Sequence, residues 1–209
     1  MYLHQGLLAA GHTSLVFCPN DSVLATRLDI KERVVYNKRS GFDFFAAKQL
    51  AAYCKANKVD LVHAHDAHSH TTAVLGATLF RNRCPIMLSR RVDFPIGGSW
   101  FSRYKYNHRQ VKTILCVSDL IREMVSPKIT ASHIEVATVH SGVDLSKFVG
   151  IKPLDLRDEL NLSNDAKLVA NFSALADHKD YFTFIDTAKI VCNARDDVYF
   201  LIFGKGELE

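Results

Sequence analysis

A short apolar segment that ends in a cluster of polar side chains most constrains the fold of this chain. Residues 59–70 read Val-Asp-Leu-Val-His-Ala-His-Asp-Ala-His-Ser-His, and a helix-like stretch from Thr71 to Phe80 follows. In open parallel sheets, ligands bind beyond the carboxyl ends of the strands. The segment is therefore typical of a parallel strand whose end opens onto a binding crevice.

The same arrangement recurs along the chain. Strands that alternate with helices favour right-handed βαβ units and a parallel sheet covered on both faces. We therefore predict an α/β protein with a Rossmann-like parallel sheet, followed by the first βαβ unit of a second such domain. The other predicted strands are Ser14–Cys18, Ile86–Leu88, Thr113–Val117, Ile134–Val139, Lys167–Phe172 and Val198–Phe203.

Several helices are predicted between these strands from apolar residues at helical spacing. Gly11 is expected to end the first helix in a left-handed conformation. Ser118 has the hydroxyl of a helix N-cap and Asp119 adds an acidic residue to the first turn, whereas Pro127 closes that helix. The apolar faces are Leu3-Leu7-Leu8, Phe42-Ala46-Leu50-Tyr53 and Phe184-Ile185-Ala188-Val191-Cys192.

Composition limits the classes of partner. The 209 residues are 48% hydrophobic and 23% charged, which is ordinary for a soluble globular protein with a real core. The net charge is +4 without a block of lysine or arginine, so we expect no nucleic-acid partner. Mild basicity fits phosphorylated small molecules, an anionic membrane surface, or simply a solvated basic face.

Localisation is predicted from what the sequence lacks and from its cysteines. No apolar run approaches the roughly 20 residues that span a bilayer, and no signal-peptide pattern opens the chain. Cys18, Cys54 and Cys116 sit among apolar residues, as buried, reduced cysteines do. We therefore expect a cytoplasmic protein, with peripheral contact to the inner face of a membrane as a further option.

Several motifs in order resemble the retaining glycosyltransferases of family 4, which have the two-domain GT-B architecture. They match the family's helix end, strand ends, interdomain turn and two glycine-bearing or basic turns. The matching segments are Leu8-Ala-Ala-Gly-His12, Asp60-Leu-Val-His-Ala-His65, Pro85-Ile-Met-Leu-Ser89, Val117-Ser118, Val139-His-Ser-Gly-Val-Asp144 with Phe148, Phe172-Ser-Ala-Leu-Ala-Asp-His-Lys179, and Phe203-Gly-Lys-Gly-Glu207.

The resemblance implies a domain organisation. Residues 1–150 would form an acceptor-binding domain that lacks its first strand and glycine turn, 151–164 a linker, and 165–209 the start of a donor-binding domain. Both ends of the sequence look cut, since it opens inside a helix and closes after two strands of the second domain. We expect a fragment that is inactive by itself.

The resemblance also implies an activity. The full protein would be a hexosyltransferase that moves a sugar from a nucleotide-diphosphate sugar to a glycan, lipid-linked or small-molecule acceptor with retention. Polysaccharide or lipopolysaccharide biosynthesis is the implied setting. No metal or other cofactor is expected, and no covalent nucleophile is nominated, because stabilisation of the leaving diphosphate and positioning would carry the rate.

Donor-binding residues follow from the matched motifs. Lys179 and the glycine turn at Gly204 and Gly206 would face the diphosphate, and Ser141 and Gly142 would offer it backbone N–H groups. An exposed surface lysine, a plain strand-end turn and a hinge are the respective alternatives. Four positions depart from the family: Ala174 stands for an arginine, Ser141 for an asparagine, Asp180 for a glycine, and Arg90 or Arg91 for a histidine.

Acceptor-binding residues are predicted at two strand ends. His65, Asp66 and Ser69 would bond to sugar hydroxyls. Arg90 and Arg91 would clamp an anionic acceptor or a donor phosphate, unless they form a salt bridge with Asp93.

Three other functions remain open. The spacing of His63, His65, His68 and His70 suits no common zinc motif, although a metal hydrolase built on these histidines is an alternative. A non-catalytic sugar- or nucleotide-binding module is the second, because Ala174 replaces a donor-binding arginine. A sugar-nucleotide epimerase of GT-B architecture is the third, and it would form product from the donor alone.

Overall fold

The computed structural model describes residues 1–39 and 42–208. Contacts within the chain divide it into two compact units, Met1–Val143 and Asp144–Glu209. Each unit is described by itself.

The first unit is built on parallel strands. β1 (Val16–Pro19) pairs with β2 (Arg33–Tyr36), and a second sheet has the order β3-β4-β5-β6. All of these pairings are parallel, so the prediction of an α/β fold with a parallel sheet is confirmed. The strands of the second sheet are β3 (Val62–Ala64), β4 (Ile86–Arg90), β5 (Val111–Cys116) and β6 (Glu135–Thr138).

Helices connect these strands, as the alternating pattern predicts. Gly11 has a φ of +82° immediately after the first helix, which confirms its role as the left-handed stop. Ser118 accepts a hydrogen bond from the N–H of Ile121 and so caps the sixth helix, also as predicted. The helices are α1 (Tyr2–Ala9), α2 (Val23–Arg27), α3 (Phe44–Ala56), α4 (Ala67–Leu79), α5 (Trp100–Tyr106) and α6 (Asp119–Val125).

The core of the first unit lies between the second sheet and α4. Ile86, Val111 and Ile114 from the strands are fully buried, as is Val74 of α4. Gly76 lets α3 approach α4, because a Cβ atom at this position would lie 3.2 Å from the carbonyl oxygen of Ala47. α4 is therefore held against both the sheet and a neighbouring helix, and its first turn is fixed relative to the ends of the strands.

The second unit contains one βαβ arrangement. β7 (Lys167–Phe172) and β8 (Val198–Phe203) pair in parallel over their full length and match the predicted bounds. α8 (Tyr181–Ala194) connects them, and α7 (Leu156–Glu159) precedes β7.

Several predictions differ from the structure in the first unit, two of them in the bounds of β3 and in the packing of α1. Val59 lies outside β3, because its N–H bonds back to the carbonyl of Cys54 at the end of α3 and is not available to the sheet. The predicted apolar face of α1 is largely exposed to solvent, because Leu3 and Leu8 are exposed. The buried residue of this helix is His4. The strand therefore begins at Val62, where pairing with the next strand starts.

Cysteine burial agrees with the sequence. Cys18, Cys54 and Cys116 are buried free thiols, as predicted, and Cys84 is a fourth. Among the residues that the structure describes, no helix combines the length and apolar character needed to cross a bilayer.

Candidate functional site

The carboxyl ends of β3 and β4 form the polar edge of the first unit. Val62 of β3 is in register with Ile86 of β4, so the residues that follow the two strands lie at the same carboxyl-terminal edge of the sheet. This parallel pairing places all five of the predicted acceptor-binding residues at or just beyond one edge of the sheet. They are His65, Asp66, Ser69, Arg90 and Arg91.

Asp66 and Ser69 start α4 by capping each other. The Oδ1 atom of Asp66 accepts from the N–H groups of His68 and Ser69, both at 2.8 Å. The Oγ atom of Ser69 accepts from the N–H groups of His65 and Asp66 at 3.1 and 3.0 Å. The two bonds to Asp66 satisfy free N–H groups of the first helical turn, and the two to Ser69 satisfy those of the residues just before it. The predicted sugar-binding pair therefore also has a structural role, which the sequence analysis did not assign.

Two histidines, His63 and His65, lie at this edge, at the end of β3. The rings of His63 and His65 lie 4.1 Å apart between centroids, and the Nε2 atom of His63 is 2.8 Å from the Oγ atom of Ser89. Burial, with smaller contributions from His65 and Arg91, lowers the pKa of His63 to about 4. Partial burial, followed by the charge of Arg91, also lowers the pKa of His65. Both rings are therefore neutral at pH 7 and can both donate to and accept from hydroxyl groups.

The arginines at the end of β4 do not pair with Asp93, which was the alternative role for them. One terminal nitrogen of Arg90 donates to the hydroxyl of Tyr106 at 3.3 Å, and the other donates to the carbonyl of Phe94. Arg91 is exposed, and its charge depresses the pKa of both histidines. Among residues 1–39 and 42–208, neither arginine forms an ion pair.

Lys105 is a residue of this region that sequence reasoning missed. It lies on α5 and is only 8% exposed, and its Nζ atom is 3.2 Å from the Oγ1 atom of Thr71 on α4. Burial and then the charge of Arg90 lower the pKa of Lys105. α5 was not predicted, so no signal in the sequence linked this lysine to α4.

The next two strand ends hold a smaller polar group. The Oγ1 atom of Thr138, at the end of β6, donates to the Oδ1 atom of Asp119 at 2.7 Å. Ser141 and Gly142 follow β6 in an exposed segment. Nothing lies within 4 Å of the position of a Cβ atom on Gly142, so packing does not require a glycine there.

The equivalent edge of the second unit carries Lys179. This lysine is exposed and ends a short 3₁₀ helix, Asp177–Lys179, just before α8. Asp180 follows with a φ of +50°, and its side chain accepts from the N–H of Thr183 at 3.3 Å. The family glycine that Asp180 replaces would suit this left-handed conformation, whereas the aspartate adds a helix cap.

Gly204 and Gly206 have a packing role that the sequence analysis did not foresee. A Cβ atom on Gly204 would lie 1.9 Å from the carbonyl oxygen of Ser173, and one on Gly206 would lie 2.2 Å from that of Leu175. The two segments that leave β7 and β8 continue to pair, since Leu175 forms a parallel bridge with Gly206. Close backbone approach between these segments explains both glycines, and their contact with a donor stays a prediction.

The clustered histidines of α4 and the preceding turn do not converge with other metal ligands. In the described part of the chain, no three histidine, cysteine, aspartate or glutamate side chains are grouped so that they could hold a metal ion.

The sequence and the fold are similar to those of known glycosyltransferases. The family model described as Glycosyltransferase Family 4 matches residues 1–147. No curated protein is a significant match to the sequence. The fold is similar to that of a glycosyltransferase from Rickettsia africae ESF-5, with a TM-score of 0.73 and 20% identity over 97% of this chain and 55% of that chain.

The fold is also similar to that of HepE from Anabaena. The structure of HepE with UDP gives a TM-score of 0.68 and 16% identity over 98% of this chain and 57% of that chain. The structure of HepE with UDP-glucose gives a TM-score of 0.65 and 16% identity over 91% of this chain and 52% of that chain. The chain thus spans about half the length of these solved structures. Because the family model covers 147 of the 209 residues, the chain belongs to Glycosyltransferase Family 4.

Proposed function

We propose that the protein transfers a hexose from a nucleotide-diphosphate sugar to a saccharide, lipid-linked or small-molecule acceptor, with retention at the anomeric carbon. The observation that supports this most is the polar edge at the ends of β3 and β4. There, two neutral histidines, a capping aspartate and two arginines lie together. Such a set can bind hydroxyl groups and an acidic group at once. The family and the UDP complexes of HepE agree with this activity.

The donor would bind the second unit. Lys179 precedes α8, a helix of 14 residues, so a cation and the N-terminal N–H groups of a helix lie close in sequence. A diphosphate is stabilised by both. Gly204 and Gly206 would add backbone N–H groups. UDP-glucose is the first donor to test, because HepE binds it.

Catalysis would come from stabilising the negative charge of the leaving diphosphate and from positioning the acceptor hydroxyl. The departing diphosphate gains negative charge as the glycosidic bond breaks, and preorganised cations and N–H groups stabilise that charge. No covalent intermediate on a protein side chain and no metal ion form part of this proposal. The acceptor hydroxyl would be held by His65, Asp66 and Ser69.

Binding of the donor tests the proposal directly. The melting temperature of the full-length protein is measured with UDP-glucose and with GDP and ADP sugars, since a ligand bound only by the native state raises it. Lys179→Met should lose most of the shift, whereas Lys189→Met, an exposed lysine on α8, should keep it. Absence of a shift with every sugar nucleotide would overturn the transferase proposal.

Product analysis separates the remaining functions. An α-linked product from an α-linked donor, seen by NMR, would support retention. Product formed from the donor without any acceptor would favour an epimerase instead. Donor binding without turnover by the full-length protein would favour a non-catalytic module, which the alanine at position 174 already suggests as the rival.

We also propose a cytoplasmic protein that contacts an anionic membrane at its periphery. Phe94 and Trp100 are exposed by 69% and 76%, and the ring of Phe42 lies 5.0 Å from that of Phe101. Arg91 and Arg103 are exposed near these residues in sequence. Aromatic and basic side chains together suit an anionic lipid surface. Sedimentation with phosphatidylglycerol vesicles, but not with phosphatidylcholine vesicles, is the expected result, and Trp100→Ser should weaken it.

A further inference from the structure

Two cations lie against one tyrosine in the first unit. Arg90 donates to the hydroxyl of Tyr106 at 3.3 Å, and the Nζ atom of Lys105 lies 5.6 Å from the centroid of the same ring. The ring of His70, which is fully buried, meets the ring of Tyr106 edge-on at 4.9 Å. These four residues, together with Thr71, are called the basic pocket below; the name denotes this cluster of side chains.

The positive charges of the basic pocket have only neutral partners. Lys105 donates to the hydroxyl of Thr71, and Arg90 donates to Tyr106 and to the carbonyl of Phe94. Among the described residues, no carboxylate lies within ion-pairing distance of either cation. Asp66 acts on Lys105 only from beyond ion-pairing distance. Burial of a charge without a directly paired counter-charge is unfavourable, and two adjacent cations also repel each other.

Unused hydrogen-bonding groups accompany these charges. The Nε atom of Arg90 and the Nδ1 atom of His70 are buried, and neither has a partner in the described part of the chain. The ammonium group of Lys105 has three donors, of which the bond to Thr71 uses one. The Nε2 atom of His70 donates to the carbonyl of Lys105, so its Nδ1 atom is an acceptor that an anion would not complete. Buried polar groups in native proteins are nearly always paired, so the two incompletely satisfied donors, Arg90 and Lys105, indicate that an acceptor on a ligand completes them.

The basic pocket adjoins the proposed acceptor edge. Arg90 is the last residue of β4, and Thr71 lies in the second turn of α4, which Asp66 starts. The residues between Arg90 and α5 are largely exposed, and the carbonyl of Phe94 in that segment accepts from Arg90. An anionic oxygen in place of this neutral carbonyl would form a stronger, charge-assisted hydrogen bond.

We propose that the basic pocket binds an acidic group, a phosphate or a carboxylate, carried by the sugar acceptor, and that Lys105 and Arg90 select acceptors bearing such a group. The inference rests on the proposed function for the identity of the ligand as an acceptor. It assigns to Lys105 a specificity-determining contact. The acidic group would sit where it bonds to Lys105 and to Arg90, while the sugar hydroxyls face His65.

Matched monosaccharides test this proposal without any donor. Binding of glucose, glucose 6-phosphate and glucuronate to the chain is measured by isothermal titration at constant ionic strength. We expect both acidic sugars to bind at least about tenfold more tightly than glucose, and the stronger of the two identifies the acidic group. Equal binding of all three sugars would overturn the proposal, whether or not a UDP-sugar binds. Donor binding is read in a separate titration, so failure of the proposed function is distinguishable.

Two lysine variants separate the pocket from general positive charge. Lys105→Met should abolish the preference for acidic sugars, whereas Lys112→Met, an exposed lysine on β5, should keep it. Because Lys105→Met removes a buried cation that has no ion-pair partner among the described residues, its melting temperature without ligand should equal or exceed that of the wild type. Retention of the full preference in Lys105→Met would overturn the role of Lys105. If this variant does not fold, Lys105→Gln replaces it, and the wild-type comparison of the three sugars remains decisive.

Discussion

The Nε2 atom of His63 lies 2.8 Å from the Oγ atom of Ser89, and this bond joins the carboxyl ends of β3 and β4. Both side chains are half-buried. The bond orients the imidazole of His63 against that of His65 and so fixes the arrangement of the polar edge.

Removal of this bond should lower stability by a modest amount. Ser89→Ala is expected to reduce the free energy of unfolding by about 1 kcal/mol, because the half-buried imidazole loses its partner. Urea unfolding measures the change. In a His63→Phe background the same substitution should cost much less, since the bond is already absent. Equal costs in the two backgrounds would show that the bond contributes nothing.

Acidification should destabilise the protein through His70. Burial is the main cause that lowers the pKa of His70 to about 3, with Lys105 adding to it. Between about pH 6.5, the ordinary value, and the lowered pKa, the unfolded chain binds a proton that the folded chain does not. The free energy of unfolding therefore falls with decreasing pH in this window, by up to about 1.4 kcal/mol per pH unit from this residue.

The measurement compares urea unfolding of the wild type and His70→Gln at pH 7, 6, 5 and 4. The wild type should lose stability faster than the variant on acidification. His68→Gln, an exposed position on the same helix, should follow the wild type. A steeper dependence in His70→Gln than in the wild type would reverse the assignment.

The cap of α4 should be measurable by substitution. Asp66→Ala is expected to cost about 1 kcal/mol of unfolding free energy, because two N–H groups of the first turn lose their acceptor. Asp66→Asn keeps an oxygen that can accept the same bonds, so its cost should be a few tenths of that of the alanine variant. Chemical denaturation distinguishes the two, and equal losses would mean that the charge, not the cap, matters.

The close approach beside β8 should make Gly204 intolerant of a side chain. A Cβ atom 1.9 Å from the carbonyl oxygen of Ser173 forces the backbone apart, so Gly204→Ala should cost at least about 2 kcal/mol. Gly142→Ala, where the same atom meets nothing, is the control. Amide hydrogen exchange should accelerate in β7 and β8 of the Gly204 variant alone. Slow exchange there in both variants would contradict the prediction.

The strands that the sequence predicts best are continuous apolar runs with clear limits. β7 and β8 match their predicted bounds, because Val198–Phe203 is almost wholly apolar and is followed by a glycine. β2 was missed, since Arg33–Tyr36 follows charged residues and pairs only with β1 in the described structure. α5 was missed as well, because Trp100–Tyr106 mixes aromatic and basic residues without a long apolar face.

The candidate site was predictable as far as strand topology determines it. The rule that parallel strands end at one edge was sufficient to place His65 and Arg91 together. It could not place Lys105, whose contact with Thr71 spans 34 positions and depends on how two helices pack. It also could not distinguish a residue that offers its side chain to a ligand from one that uses it to start a helix, as Asp66 does.

That dual use limits how this edge can diversify. Asp66 and Ser69 are committed to the backbone, so an exchange at either position that alters selectivity will also loosen the helix beneath it. Within residues 1–39 and 42–208, no backbone group is hydrogen-bonded to the side chain of His65 or Arg91, so exchanges at these positions should carry little thermodynamic penalty. Under the proposed function, new acceptor preferences should therefore arise by substitutions at His65 and Arg91, while Asp66 and Ser69 stay unchanged.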